Sequence, residues 1–119
     1  MKIRLDPLDK LFSKYIRLRA DEHCEYCGAF KEFTDLQCSH FHGRRKASTR
    51  FDSENCCALC YSCHNYLGEH PNKHNAFFEK RLGSERFEQL NIRAEVITKL
   101  DREAIKEDLK RRIKLLEEE

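Results

Sequence analysis

The chain has 119 residues, 37% of them charged, and a formal net charge of +2. One domain is expected at this length, which excludes an enzyme with separate cofactor and substrate lobes. Leu, Ile, Val and Phe make up about 24% of the residues, above the ~20% below which disorder is the default, so a small core in need of a staple is expected.

In chain order, Met1-Lys2-Ile3-Arg4 leads into no signal-like apolar stretch. Asp6-Pro7 reads as a helix cap with proline at the first helical position, and Leu8, Leu11, Phe12, Tyr15 and Ile16 follow at helical spacing. A helix over residues 7–19 is predicted. Residues 33–41 and 51–59 read as two strands around a polar, turn-rich segment at residues 43–48. A helix is expected to begin near His64, and residues 75–82 read as another that stops at Gly83. Ser84 is the expected cap of a short helix, although Phe87 stands where a capping box wants an acid or amide. Asp101 opens a final helix with Ile105, Leu109, Ile113 and Leu116 on one stripe, supported by the pairs Glu107–Arg111 and Asp108–Arg112. That stripe covers the protein's own core or mediates dimerisation, with the former preferred. No run approaches the ~18 apolar residues of a membrane span, so a soluble, intracellular protein is expected.

All seven Cys, all six His and all four Gly lie between His23 and Gly83. This divides the chain into an N-terminal helix and lead-in (residues 1–22), a Cys/His core (23–83) and a C-terminal helical extension (84–119), within one compact domain. An odd number of Cys in a reducing compartment points to metal rather than disulfides. Cys24-Glu-Tyr-Cys27 and Cys60-Tyr-Ser-Cys63 are two Cys-x-x-Cys knuckles, and together they fill the four positions of a tetrahedral Zn²⁺ site. With no position left for water or substrate, such a zinc is structural. Cys38, Cys56 and Cys57 read as small buried apolar residues rather than ligands.

Strand, loop, strand and helix pinned by zinc is the layout of an α+β, ββα-metal finger flanked by N- and C-terminal helices. Within it, Leu36-Gln37-Cys38-Ser39-His40-Phe41, then Asn55, then Cys60-Tyr-Ser-Cys63-His64 give a His…Asn…His series. Over about residues 8–90 the sequence resembles the HNH endonucleases, in particular the phage-encoded subgroup that includes the NinG/Rap recombination proteins. The resemblance implies that His40 is the general base, that Asn55 orients the loop and the base, and that His64 ligates a catalytic metal. Phosphodiester hydrolysis needs these roles: neutral imidazole activates water near pH 7, and a divalent metal neutralises developing charge.

One residue departs from the family. Many members carry an Asp or His metal ligand just before the base, and here that position is Ser39. His42, His70, His74, a substrate oxygen or water are the candidates for the missing ligand, or His40 is itself the ligand and another group the base. Mg²⁺ or Mn²⁺ tolerates such a thin shell, whereas Ni²⁺ or Zn²⁺ prefers imidazoles. No acidic residue occurs between Leu36 and Phe51, where Arg44, Arg45, Lys46 and Arg50 form a basic segment suited to DNA phosphates. Lys10, Lys14, Arg17 and Arg19 extend that patch.

The leading expectation is therefore a metal-dependent DNA endonuclease or nickase acting in phage or prophage recombination or DNA processing, in the cytoplasm of a bacterial host. It would leave 5′-phosphate and 3′-hydroxyl ends, as the resemblance implies. The alternative is a zinc-stabilised DNA-binding adaptor in recombination or packaging, which Ser39 favours. A purely structural zinc protein is a poorer reading, because it leaves His40 and the basic loop unused. Expected partners are DNA and phage recombination or packaging proteins, with monomer and homodimer both open.

Overall fold

A computed structural model describes residues 6–118; Met1–Leu5 and Glu119, and with them the charged start and the last residue of the acidic tail, lie outside the described residues. The described residues form a small α+β fold of six helices and one two-stranded antiparallel sheet: α1 (Pro7–Arg19), β1 (Leu36–His40), α2 (Ala47–Arg50), β2 (Cys56–Cys60), α3 (Tyr61–Glu69), α4 (Pro71–Leu82), α5 (Ser84–Ala94) and α6 (Arg102–Glu117). None of the described helices is long and apolar enough to cross a membrane.

The carboxylate of Asp6 accepts from the Leu8 amide at 2.8 Å and caps α1 as expected. Leu8, Phe12 and Ile16 form its buried stripe. The strands pair from Leu36↔Cys60 through Cys38↔Ala58 to His40↔Cys56. Every residue of β2 is buried. Both of its edges are occupied: β1 pairs on one, and on the other the Glu25 amide donates to the Ala58 carbonyl at 2.9 Å while the Ala58 amide donates to Glu25 Oε2 at 2.6 Å. The first knuckle is thus latched to β2 by the residue between its two cysteines, as an exposed strand edge requires.

Several sequence expectations shift at element ends. Residues Phe33–Asp35 and Ser53–Asn55 are single 3₁₀ turns, so each strand is shorter than read. Asp52 causes the second turn, its side chain accepting from the Glu54 amide at 2.9 Å. Helix α3 begins at Tyr61 rather than His64, with Cys60 at its cap, which places Cys63 and His64 in the first turns. Helix α4 begins at Pro71 rather than Asn75, because proline lacks the amide hydrogen that a first helical turn leaves unpaired. Gly83, at φ +86°, occupies the cap position given to Ser84, which is instead the first residue of α5. Asp101 caps α6 as expected, accepting from Ala104 at 3.1 Å. The Glu107–Arg111 pair does not form, since Arg111 reaches Asp108 at 2.5 Å, one residue closer; Asp108–Arg112 forms at 2.9 Å.

Helix α6 lies along α1, burying Leu109 and Ile113, so most of its apolar stripe covers the protein's own core. Helix α5 packs on α4 and α2, and the carbonyl of Arg93 accepts from Ser48 at 2.6 Å. The C-terminal extension therefore braces both α1 and the loop between the strands.

Candidate functional site

The four Sγ atoms of Cys24, Cys27, Cys60 and Cys63 all lie within 4.8 Å of one another. A Zn–S bond of about 2.3 Å in a tetrahedron separates sulfurs by about 3.8 Å, so this cage fits a zinc-sized metal with little movement. The knuckle backbone is built for it. Gly28 takes φ +76°, its amide donates to Cys24 O at 2.8 Å, and the Cys24 amide donates to Ala29 O at 3.0 Å. Burial opposes ionisation of Cys60, but hydrogen bonds from Ser62, Cys63 and Cys24 outweigh it and bring this thiol down to about 6. Burial and the three thiols around Cys63 push Cys63 up instead. Four converging sulfurs cannot all ionise unaided, and a dication replaces their protons.

At the other end of the hairpin, Asn55 is fully buried and its amide is fully used. Its Oδ1 accepts from the His42 amide at 2.8 Å, and its Nδ2 donates to the carbonyls of His42 and Thr49 at 2.9 and 3.0 Å. One side chain thereby ties both ends of the inter-strand loop. The guanidinium of Arg50 fixes the loop to α1, reaching Asp9 at 2.5 Å and Asp6 at 3.3 Å. This engagement sets Arg50 apart from the rest of the basic segment. Lys46 pairs with Glu95 at 2.7 Å, Arg44 stands 3.7 Å from Asp9 with more than half its side chain exposed, and Arg45 is exposed.

His40 ends β1, half-buried, with Nε2 3.0 Å from the Arg50 carbonyl. A carbonyl only accepts, so Nε2 carries the hydrogen and the lone pair of the neutral ring is on Nδ1. Burial lowers the His40 pKa from its ordinary value, helped by the charges of Arg44 and Arg50 and opposed by the Arg50 carbonyl bond and Asp9. The ring is therefore neutral at pH 7. His64 Nδ1 lies 2.5 Å from Gln37 Oε1; with Nδ1 as donor, Nε2 is left as an open donor atom for a metal.

Both imidazoles line one groove of about 720 Å³, together with Lys10, Lys14, Arg17 and Arg44 from α1 and the loop. Arg17 is oriented there by Ser13 and lies 4.2 Å over the Phe33 ring. Arg19 turns away and donates to the carbonyls of Ser53 and Cys56. Asp9 is the groove's acidic residue.

The remaining histidines lie elsewhere. His42 Nε2 meets Asn91 Oδ1 at 2.8 Å, and exposed His70 bonds the Tyr66 carbonyl and stacks on its ring. His74 packs against Phe41 and Phe78 with its buried Nε2 unpaired, and burial lowers its pKa. None of the three lines the groove. Ser39 is buried, on the sheet face opposite His40. Cys56 and Cys57 are buried as expected, but Cys38 is half-buried and lines the groove. Sequence reasoning missed Asp9, Gln37 and this exposure of Cys38; the helical register Asp9–Ser13–Arg17 is the one signal that could have found the first.

One family model, described as Bacteriophage Lambda NinG protein, matches residues 4–119, which is longer than the stretch of about 8–90 that carries the sequence motifs. No curated protein and no solved structure matches the chain.

Proposed function

The chain belongs to the NinG family of phage recombination-related proteins, and on that premise we propose that it is a metal-dependent DNA endonuclease or nickase with a ββα-metal core. One observation carries this reading: a single groove holds His40 and His64 among four cations, over a loop tied down by Asn55. Lys10, Lys14, Arg17 and Arg44 hold a DNA phosphate and offset the charge that builds on it during attack. Neutral His40 takes the proton of the attacking water. Asn55 and Arg50 are positioning residues: they fix the loop whose carbonyl orients the His40 ring.

The groove offers a divalent ion one protein donor, the imidazole of His64. His64 Nε2 is open, and no cluster of three or more ligand-type side chains among the described residues includes His64, so substrate oxygens and water would have to complete the shell of an ion held there. A divalent ion bound there would supply charge neutralisation at the phosphate and leaving oxygen, and the single imidazole suits Ni²⁺ or Zn²⁺ better than Mg²⁺ or Mn²⁺.

The test is plasmid nicking with Mg²⁺, Mn²⁺ or Ni²⁺ by wild type and His40→Ala, with zinc content measured in both. Wild type is expected to nick, and His40→Ala to nick about 100-fold or more slowly with its zinc retained. No cutting with any metal, or equal cutting by the variant, overturns the reading. The burial of Ser39 away from the groove favours a second one, a zinc-stabilised DNA-binding adaptor in recombination or packaging. It predicts duplex binding without cleavage, weakened by Arg44→Ala.

A further inference from the structure

The face of the hairpin that bears His40 also carries two cysteines. Cys38 is two residues before His40 on β1, and Cys56 stands directly opposite His40 on β2. A nitrogen of His40 and the Sγ atoms of Cys38 and Cys56 all lie within 4.8 Å of one another. We propose that Cys38, His40 and Cys56 form a second metal site, selective for thiophilic ions such as Zn²⁺ or Cd²⁺, whose occupation withdraws His40 from catalysis.

Three features argue for a site rather than a chance grouping. The ladder register fixes all three donors on rigid strands, so ligation requires no loop ordering. The bond from His40 Nε2–H to the Arg50 carbonyl is the outer-shell contact that ligating imidazoles have, and it keeps the ring's lone pair on Nδ1. Two thiolates and an imidazole select Zn²⁺ or Cd²⁺ over Mg²⁺, which demands oxygen ligands. Cys38 and His40 line the groove while Cys56 is buried behind them, so the ion enters from the substrate side. Binding is balanced by proton release: one dication replaces the two thiol protons, and neutral His40 donates its lone pair without losing Nε2–H.

That lone pair is the one His40 would use as a base, so a loaded site and water activation exclude each other. The site itself stands on geometry alone; its inhibitory effect rests on the function proposed above. In the presence of a phosphine reductant, wild type is expected to bind two Zn²⁺ per chain, and Cys38→Ala and Cys56→Ala one each, at the Cys₄ cage. One zinc in all three proteins, or two in all three, overturns the site. In wild type alone, a second equivalent of Co²⁺ must add thiolate-to-metal charge-transfer absorption; none would also overturn it, without recourse to a variant. With Mg²⁺ present, loading the second Zn²⁺ is expected to lower nicking about 100-fold, the factor for losing a general base. Unchanged nicking at two Zn²⁺ per chain overturns the inhibition. If one-zinc protein never nicks, the proposed function fails while the stoichiometry still decides the site.

Discussion

The two ends of the β1–β2 hairpin are held by different physics. At the outer end four sulfurs converge within 4.8 Å, and the turn at Gly28 closes the knuckle that presents two of them. At the loop end the same task falls to one buried amide and one guanidinium, Asn55 and Arg50, through bonds of 2.5–3.1 Å to three neighbours, His42, Thr49 and Asp9. Metal coordination concentrates stability in a single step that either occurs or does not. A hydrogen-bond network spreads it over several contacts, each worth about 1 kcal/mol. The rigid anchor is thus set apart from the groove, while the loop whose carbonyl bonds the His40 ring is held by groups that can be tuned separately.

Breaking the outer end should have the largest effect. Cys60→Ser, or removal of zinc by a chelator, is expected to cost on the order of 10 kcal/mol and abolish the cooperative thermal transition in far-UV circular dichroism. A cooperative transition that survives would mean that the core stands without its staple. At the loop end, Asn55→Ala leaves the His42 amide and two carbonyls unpaired, which costs about 3 kcal/mol. A urea midpoint unmoved by this change would show that the amide is not the tie that its contacts indicate.

Arg50→Ala should cost about 1 kcal/mol, since its pairs with Asp9 and Asp6 are only partly buried. Because Arg50 is already engaged, its loss should weaken duplex binding less than Arg44→Ala, which fluorescence anisotropy at several salt concentrations can rank. The smallest effect concerns pH. Burial lowers the pKa of His74 below its ordinary value of 6.5, so the unfolded chain binds more protons in that window. The stability this group contributes is complete above pH 6.5 and is lost as pH falls through its folded pKa. The melting temperature should therefore drop on acidification, and drop less in His74→Phe. His40 has the same direction of shift, which places the acid limb of nicking below pH 6.5; a limb above it would exclude His40 as the base.

Local chemistry made part of this legible in the sequence. Asp6-Pro7 and Asp101 cap their helices as their side chains dictate, and paired Cys-x-x-Cys knuckles imply one tetrahedral cage whatever lies between them. The His…Asn…His series likewise named the two imidazoles that line the groove and the amide that ties its loop. Element ends were less legible, because a one-turn helix such as Ser53–Asn55 depends on a single side-chain bond from Asp52.

What the sequence by itself determined is the donor inventory: which residues can bind zinc, carry a proton or hold a phosphate, because those properties belong to the side chains. Only the tertiary structure decided how they are shared out. Strand register put Cys38 and Cys56 beside His40, and the parity of the strand sent Ser39 to the opposite face. The packing of α1 recruited Lys10, Lys14 and Arg17 to the groove, while Asp6 and Asp9 took Arg50 out of the basic segment. Those assignments depend on contacts between residues 16 to 44 positions apart, and no local pattern encodes which of several cations or thiols a distant partner will meet.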